Sequence, residues 1–251
     1  MKQKKLILTV LLVICLGVFA FSAYKIGSYW MAKVRNDELL AQASSFVDVA
    51  NNNTENTTPG NSGEEVTDPE SLVVDFDSLY ELSDDVVGWI YCPGTPINYP
   101  IVQGYNNDYY LYRLIDGTWN ANGSIFMDYR NSDDFSDSNT MIHGHHMKTG
   151  AMFASLMKYK TQSYYDEHPY MYIYTPEQNY RMDLFAGAIV SFVDKIYSTS
   201  PSASAIDSVV YKSTFDSPVD YEGKQVVTLS TCTFEYDNSR YVILGTLNPI
   251  D

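Results

Sequence analysis

From Val86 onward the chain is cut into short runs of β-branched, aromatic and apolar residues by turn-forming pairs. That pattern cannot build a helical bundle. The runs are Val87–Tyr91, Ile97–Val102, Gly123–Met127, Asn139–His143, Tyr170–Tyr174, Tyr180–Val193, Gln225–Thr231 and Tyr241–Leu247, divided by Pro-Gly, Asp-Gly and Asn-Gly pairs. Runs of this length and composition predict strands, and the pairs predict the turns between them. Two helical inserts interrupt the series, Ala151–Tyr159 and Ser204–Ser213. In the second, Ile206, Val209 and Val210 share one face. Many short strands with few helices indicate a mostly β fold, a mainly antiparallel barrel or sandwich. The pattern alone does not choose between these two.

The N-terminus follows a different rule. Lys2, Lys4 and Lys5 precede Leu6–Ala23, an apolar run broken only by Thr9, Gly17 and Ser22. As a helix it spans about 27 Å at ~1.5 Å per residue, enough for a bilayer core. Tyr24, Tyr29 and Trp30 follow it and suit the membrane–water interface. A cleaved signal peptide is the competing reading, with Val18-Phe19-Ala20 as a passable cleavage pattern, but the run is long for such a segment. Val13 and Ile14 are too large for a lipobox at Cys15. The expected organisation is a cytoplasmic stub over 1–5, a transmembrane signal-anchor over 6–23, an extracellular helix and flexible linker over 24–70, and a catalytic domain over 71–251. Within the linker, Met31–Val47 continues as helix and Asn51–Pro69, poor in large apolar residues, reads as a tether. Asp68-Pro69 is a helix start, with Val73, Phe76 and Leu79/Tyr80 recurring at helical spacing.

Charge limits the partners. The chain carries 31 Asp+Glu against 16 Lys+Arg, a formal net charge of -15, and shows no basic cluster able to neutralise phosphates. Nucleic acid is therefore excluded as a partner. With Cys15 in the apolar run, Cys92 and Cys232 are the cysteines left to the soluble part. They could pair in one disulfide, remain as small buried hydrophobes, or include a reactive thiol.

Two constellations could carry chemistry. Gln225–Thr231 ends in hydroxyl residues and Cys232, and Arg240 opens the next expected strand. If the two strands form a hairpin, Cys232 and Arg240 lie side by side. A guanidinium there favours the thiolate and can donate to a developing oxyanion. A surface arginine beside an inert cysteine satisfies the same pattern. The second constellation is Met141-Ile-His143-Gly144-His145-His146-Met147, which holds three of the chain's four histidines. One of them could serve Cys232 as acid and base. Zinc is the rival, although the spacing lacks the i,i+4 helical arrangement and no adjacent carboxylate completes a set. Spacing does not select among His143, His145 and His146. Asp128, Asp133, Asp134 and Asp137 read as a solvated acidic loop, with calcium conceivable but no EF-hand pattern.

Thr228-Leu-Ser-Thr-Cys232 followed by Arg240 resembles the sortase signature, and Gly144-His145 resembles the Gly-His of that family at a strand end. Val86-Val-Gly-Trp-Ile90, Ile97-Asn-Tyr-Pro-Ile-Val-Gln103, Gly123-Ser-Ile-Phe126 and Gly144-His-His-Met-Lys148 are similar to class B members, and the likeness extends over Leu72 to Pro249. The resemblance implies a closed β-barrel with N-terminal helices and an inserted helix, which the 204–213 segment fits. It implies a cysteine transpeptidase with Cys232 as nucleophile, His145 as acid and base, Arg240 as oxyanion stabiliser, and Ser230 and Thr231 on the substrate side. No cofactor and no metal are needed. The implied partners are secreted proteins with a C-terminal sorting signal and a peptidoglycan precursor amine, outside a Gram-positive cell, with the enzyme held in the cell membrane by one span. A hydrolysing cysteine peptidase, a pilin-linking sortase and a non-catalytic surface binding module are the alternatives. His143 stands where class B members often have an aromatic such as tyrosine, and Cys92 replaces a usual aliphatic and is expected in the core.

Overall fold

A computed structural model describes residues 2–49 and 72–250. Helix α1 (Lys2–Ser44) leads into β1 (Val47–Val49), which pairs antiparallel with β2 (Leu72–Val74). Short helix α2 (Phe76–Tyr80) follows. The main sheet comprises β3 (Val86–Tyr91), β4 (Asn98–Gln103), β5 (Ile125–Met127), β6 (Asn139–His143), β7 (Tyr170–Tyr174), β8 (Asn179–Ser191), β9 (Val226–Cys232) and β10 (Ser239–Ile250). It closes in the order β10-β8-β7-β3-β4-β5-β6-β9, so the barrel, not the sandwich, is the solution. Closure leaves this sheet without an edge. All eight barrel strands coincide with the eight expected runs to within two or three residues at each end.

Most pairings are antiparallel, but β4 with β5 and β6 with β9 run parallel. The period of two sorts the side chains. On β9 and β10, Val227, Leu229, Tyr241 and Ile243 enter the barrel core with Ile90, Ile101 and Ile142. Val226, Val242 and Leu244 face the other way, where α4 (Ala203–Tyr211) covers them through Ile206, Val209 and Val210. This is the helix expected over 204–213, inserted between β8 and β9. The other insert is tighter than a simple α-helix. A 3-10 segment spans Phe153–Lys160, and α3 (Gln162–Glu167) follows.

One expectation about the N-terminal region changes. Val73 lies in β2 and not in a helix. The helix begins at Phe76, because the Asp75 carboxylate caps it by accepting from the Ser78 amide at 3.0 Å. The proposed cap at Asp68-Pro69 and the tether Asn51–Pro69 lie outside the described residues. Leu39 and Ala43 of α1 are 5% and 0% exposed and share a cluster with Trp89, Val102, Tyr110 and Tyr174. The C-terminal part of α1 thus belongs to the packed domain.

Leu39→Ala should therefore destabilise the barrel itself, by about 2–4 kcal/mol for a buried leucine whose site collapses only in part. Urea unfolding followed by tryptophan fluorescence measures this, and an unchanged midpoint would refute the docking of α1.

Candidate active site

The site lies on the outer wall of the barrel. Alternation along β9 turns Thr228, Ser230 and Cys232 away from the core, and β10 places Arg240 directly opposite Cys232. Strand β6 runs parallel to β9 with His143 opposite Ser230, so both strands end at the same rim. Beyond that end the Gly144 amide donates to the Ser230 carbonyl at 3.0 Å, and the Thr231 hydroxyl donates to the Gly144 carbonyl at 2.8 Å. Gly144 is required by space. A Cβ there would lie 2.5 Å from Ile125 Cδ1 and 2.7 Å from the Phe153 ring.

Cys232, Arg240, His143, His145, Ser230 and Thr231 line one cleft of about 120 Å³, together with Asn107, Leu111 and Phe126. The expected catalytic and substrate-side residues Cys232, His145, Arg240, Ser230 and Thr231 thus line one cleft, and His146 does not line it. Cys92 is not among them. It lies fully buried in the barrel core, where burial pushes its thiol pKa up against the opposing hydrogen bond from Tyr159. Cys92 and Cys232 are both free thiols.

The three clustered histidines serve three different acceptors. His143 Nε2 donates to the Asp128 carboxylate at 3.3 Å, and His145 Nε2 donates to the Leu111 carbonyl at 2.7 Å. His146 Nδ1 donates to the Cys232 carbonyl at 3.0 Å. They do not converge as a metal triad. Among the described residues no three His, Cys, Asp or Glu side chains come together to hold an ion. A carbonyl only accepts, so Nε2 of His145 carries a proton and Nδ1 is the nitrogen left for proton exchange.

The sequence reading of Asp128 as a solvated loop residue is corrected. Its side chain is 1% exposed. Burial would raise its pKa, but hydrogen bonds from the Arg130 guanidinium, His143, the Arg130 amide and Asn107 outweigh it. They hold the carboxyl far below the usual carboxylate range. Arg130 binds it in a fork, at 2.8 Å from Nε and 2.7 Å from Nη2. Asp133 and Asp134 are exposed, as a solvated loop requires. Tyr197 was not legible as a site residue. It stacks on His143 with ring centroids 6.2 Å apart, and its hydroxyl lies 2.7 Å from Ser230 Oγ. Burial pushes its phenol pKa up, so it remains a neutral hydrogen-bonding group. Ser230 is therefore held from behind by a tyrosine, and Thr231 spends its hydroxyl on Gly144.

A sequence model of the sortase domain matches residues 90–248. Sortase B of Listeria monocytogenes is 35% identical over 256 residues, covering 98% of this chain and 99% of the relative. A crystal structure from Bacillus anthracis, described as similar to sortase B, superposes with a TM-score of 0.69 at 30% identity, covering 87% of this chain and 98% of that one. A Staphylococcus aureus sortase B–substrate complex gives a TM-score of 0.66 at 30% identity, covering 70% and 85%.

Two outcomes follow from this geometry. An unfolded aspartate titrates near 3.9, and Asp128 titrates lower when folded. Its contribution to stability is therefore complete above pH ~4 and is lost as the pH falls through the folded value. Asp128→Asn should lower stability at neutral pH and flatten the acid limb, read from urea unfolding between about pH 5 and 2. Gly144→Ala should cost about 1–3 kcal/mol of stability by overpacking against Phe153, measured in the same assay. It should also depress turnover more than the stability loss explains, because His145 is the next residue.

Proposed function

Since this chain belongs to the sortase family, as a class B member and hence a cysteine transpeptidase, we propose that Cys232, His145 and Arg240 carry out its acyl transfer. The observation that carries this reading is the cross-strand register of Cys232 with Arg240 in a cleft that His145 also lines. The Cys232 thiolate attacks a backbone carbonyl in the C-terminal sorting signal of a secreted protein. The C–S bond forms as the carbonyl electrons move onto oxygen. Arg240 donates to that oxyanion. Collapse expels the amine of the downstream residue, which takes a proton from His145 Nδ1. The product is a thioester between the substrate and Cys232. An amine of a peptidoglycan precursor then attacks this thioester, gives its proton back to His145, and releases the thiolate. Every atom of the cycle is accounted for without a cofactor.

Ser230 and Thr231 sit at the cleft wall on the substrate side. The tyrosine behind Ser230 and the carbonyl behind Thr231 support a role in shaping this wall. The staphylococcal sortase B, solved as a substrate complex, supports substrate binding by this fold. The apolar stretch Leu6–Ala23 of α1 supports a single-pass anchor, with the N-terminus cytoplasmic and the barrel outside a Gram-positive cell.

A peptide carrying a sorting signal, incubated with the enzyme and an amine acceptor, should yield a ligated product by mass spectrometry. A hydrolysing peptidase would yield only the free acid. Cys232→Ala should abolish cleavage, and turnover by that variant would sink the assignment. Arg240→Ala should reduce kcat by about 10²–10³, the usual cost of one oxyanion donor. Arg240→Lys should restore little, because a lysine lacks the planar fork.

A further inference from the structure

Helix α1 continues without a break from the apolar run into the barrel. Its residues from Leu6 to Met31 are exposed wherever they are large and apolar, while Asn36, Leu39 and Ala43 are buried against the domain. The first fixed contact comes early. Asn120 Nδ2 donates to the Ala32 carbonyl at 2.7 Å, and Arg35 pairs with Asp116 at 2.8 Å. From Ala23 to Ala32 a helix rises only about 14 Å. The headgroup layer outside the hydrocarbon core accounts for about 5–8 Å of that rise. A flexible chain over the same 24–70 stretch would instead put the domain about 40 Å away on a root-mean-square basis. The segment with tether composition cannot set the height, because α1 reaches the domain before it. Its flanking strands also pair with each other, Val49 opposite Leu72.

The parts of the barrel at that height are known from what touches α1. Tyr29, Lys33, Asn36 and Asp37 share a cleft of about 310 Å³ with Met147, Thr149 and Ala151. Lys148, Thr149 and Gly150 form an exposed tip. Trp119 stands beside Asn120 and is 70% exposed. The Lys148–Gly150 tip is separated by Met147 alone from His146, whose ring is bonded to the Cys232 carbonyl.

We propose that the catalytic domain is mounted rigidly on the bilayer surface, with Trp119 and the Lys148–Gly150 tip facing the headgroup layer and the Cys232 cleft held just above them. The partner surface is lipid. An indole and a lysine are side chains that settle at such an interface. The proposal rests on the reading of Leu6–Ala23 as a membrane span.

The test uses the full chain in phosphatidylcholine/phosphatidylglycerol vesicles carrying a headgroup spin label as quencher. Trp89 is fully buried, so Trp119→Phe leaves Trp30 as the reporter and Trp30→Phe leaves Trp119. Both reporters should be quenched to a comparable extent. A flexible Gly/Ser insertion after Lys25, in the Trp30→Phe background, should abolish quenching of Trp119 while cleavage of a soluble peptide persists. Quenching of Trp30 without quenching of Trp119 overturns the rigid mount and leaves the anchor intact. Absence of quenching at Trp30 overturns the anchor, and the mount with it. Persistent Trp119 quenching after the insertion also defeats the mount, since Trp119 would then bind lipid without help from α1.

Discussion

The site depends on one ladder, the parallel pairing of β6 with β9. Parallel strands end at the same rim, so the residues just past β6 and at the end of β9 become neighbours although far apart in sequence. The antiparallel turn from β9 to β10 then brings Arg240 back opposite Cys232. The ladder is locked at both ends. At its start, Asn139 is fully buried. Its amide donates to the Ile196 and Ser198 carbonyls at 2.9 and 2.8 Å, and its Oδ1 accepts from Thr228 at 2.7 Å. At its end, Gly144 is held to Ser230 and Thr231. A slip of one residue would turn Cys232 and Ser230 toward the barrel core, and both locks oppose it.

Behind the cleft the structure buries a charge, which is costly unless the charge is fully partnered. Asp128 meets that condition through Arg130, His143 and Asn107, and its own main-chain carbonyl accepts from Gln103 at 3.0 Å. One consequence is orientational. His143 is fixed by the carboxylate on one edge and stacked on Tyr197, and Tyr197 in turn meets Ser230. A chain of oriented groups thus runs from a buried carboxylate to Ser230, two positions before Cys232. It also explains how a histidine can be held at this strand end. The carboxylate gives the imidazole a fixed partner.

The strands were readable because their signals are local. Turn pairs and β-branched runs mark their ends, and the burial alternation marks their faces. The pairing of Cys232 with Arg240 was readable for the same reason, since only a short loop separates the two strands. The choice among the three histidines was not, because it depends on the β6–β9 register and on which acceptor each ring meets. Asp128 looked like one of four loop acids, and nothing in Asp128–Asp137 distinguishes a buried carboxylate from a solvated one. Its burial comes from the strands around it. Val73 misled because three residues of extended chain pair with β1, a contact made across a long stretch of sequence. Tyr197 was one tyrosine among 22.

The loop between β4 and β5 joins the two halves of the molecule. Near its C-terminal end, Asn120 bonds to the Ala32 carbonyl of α1, and its own amide donates to the Tyr112 carbonyl at 2.9 Å. The preceding residue, Leu111, offers the carbonyl that holds His145. Gly123, at φ +60, lets the chain fold back so closely that a Cβ would lie 2.5 Å from that same Leu111 oxygen. No other residue type takes both the positive φ and the close approach without strain. The oxygen that accepts from His145 is therefore set by a loop whose other contact is helix α1. Helix α1 and the His145 imidazole are neighbours through one short stretch of backbone, so the packing of α1 on the barrel also helps to hold the geometry of the cleft.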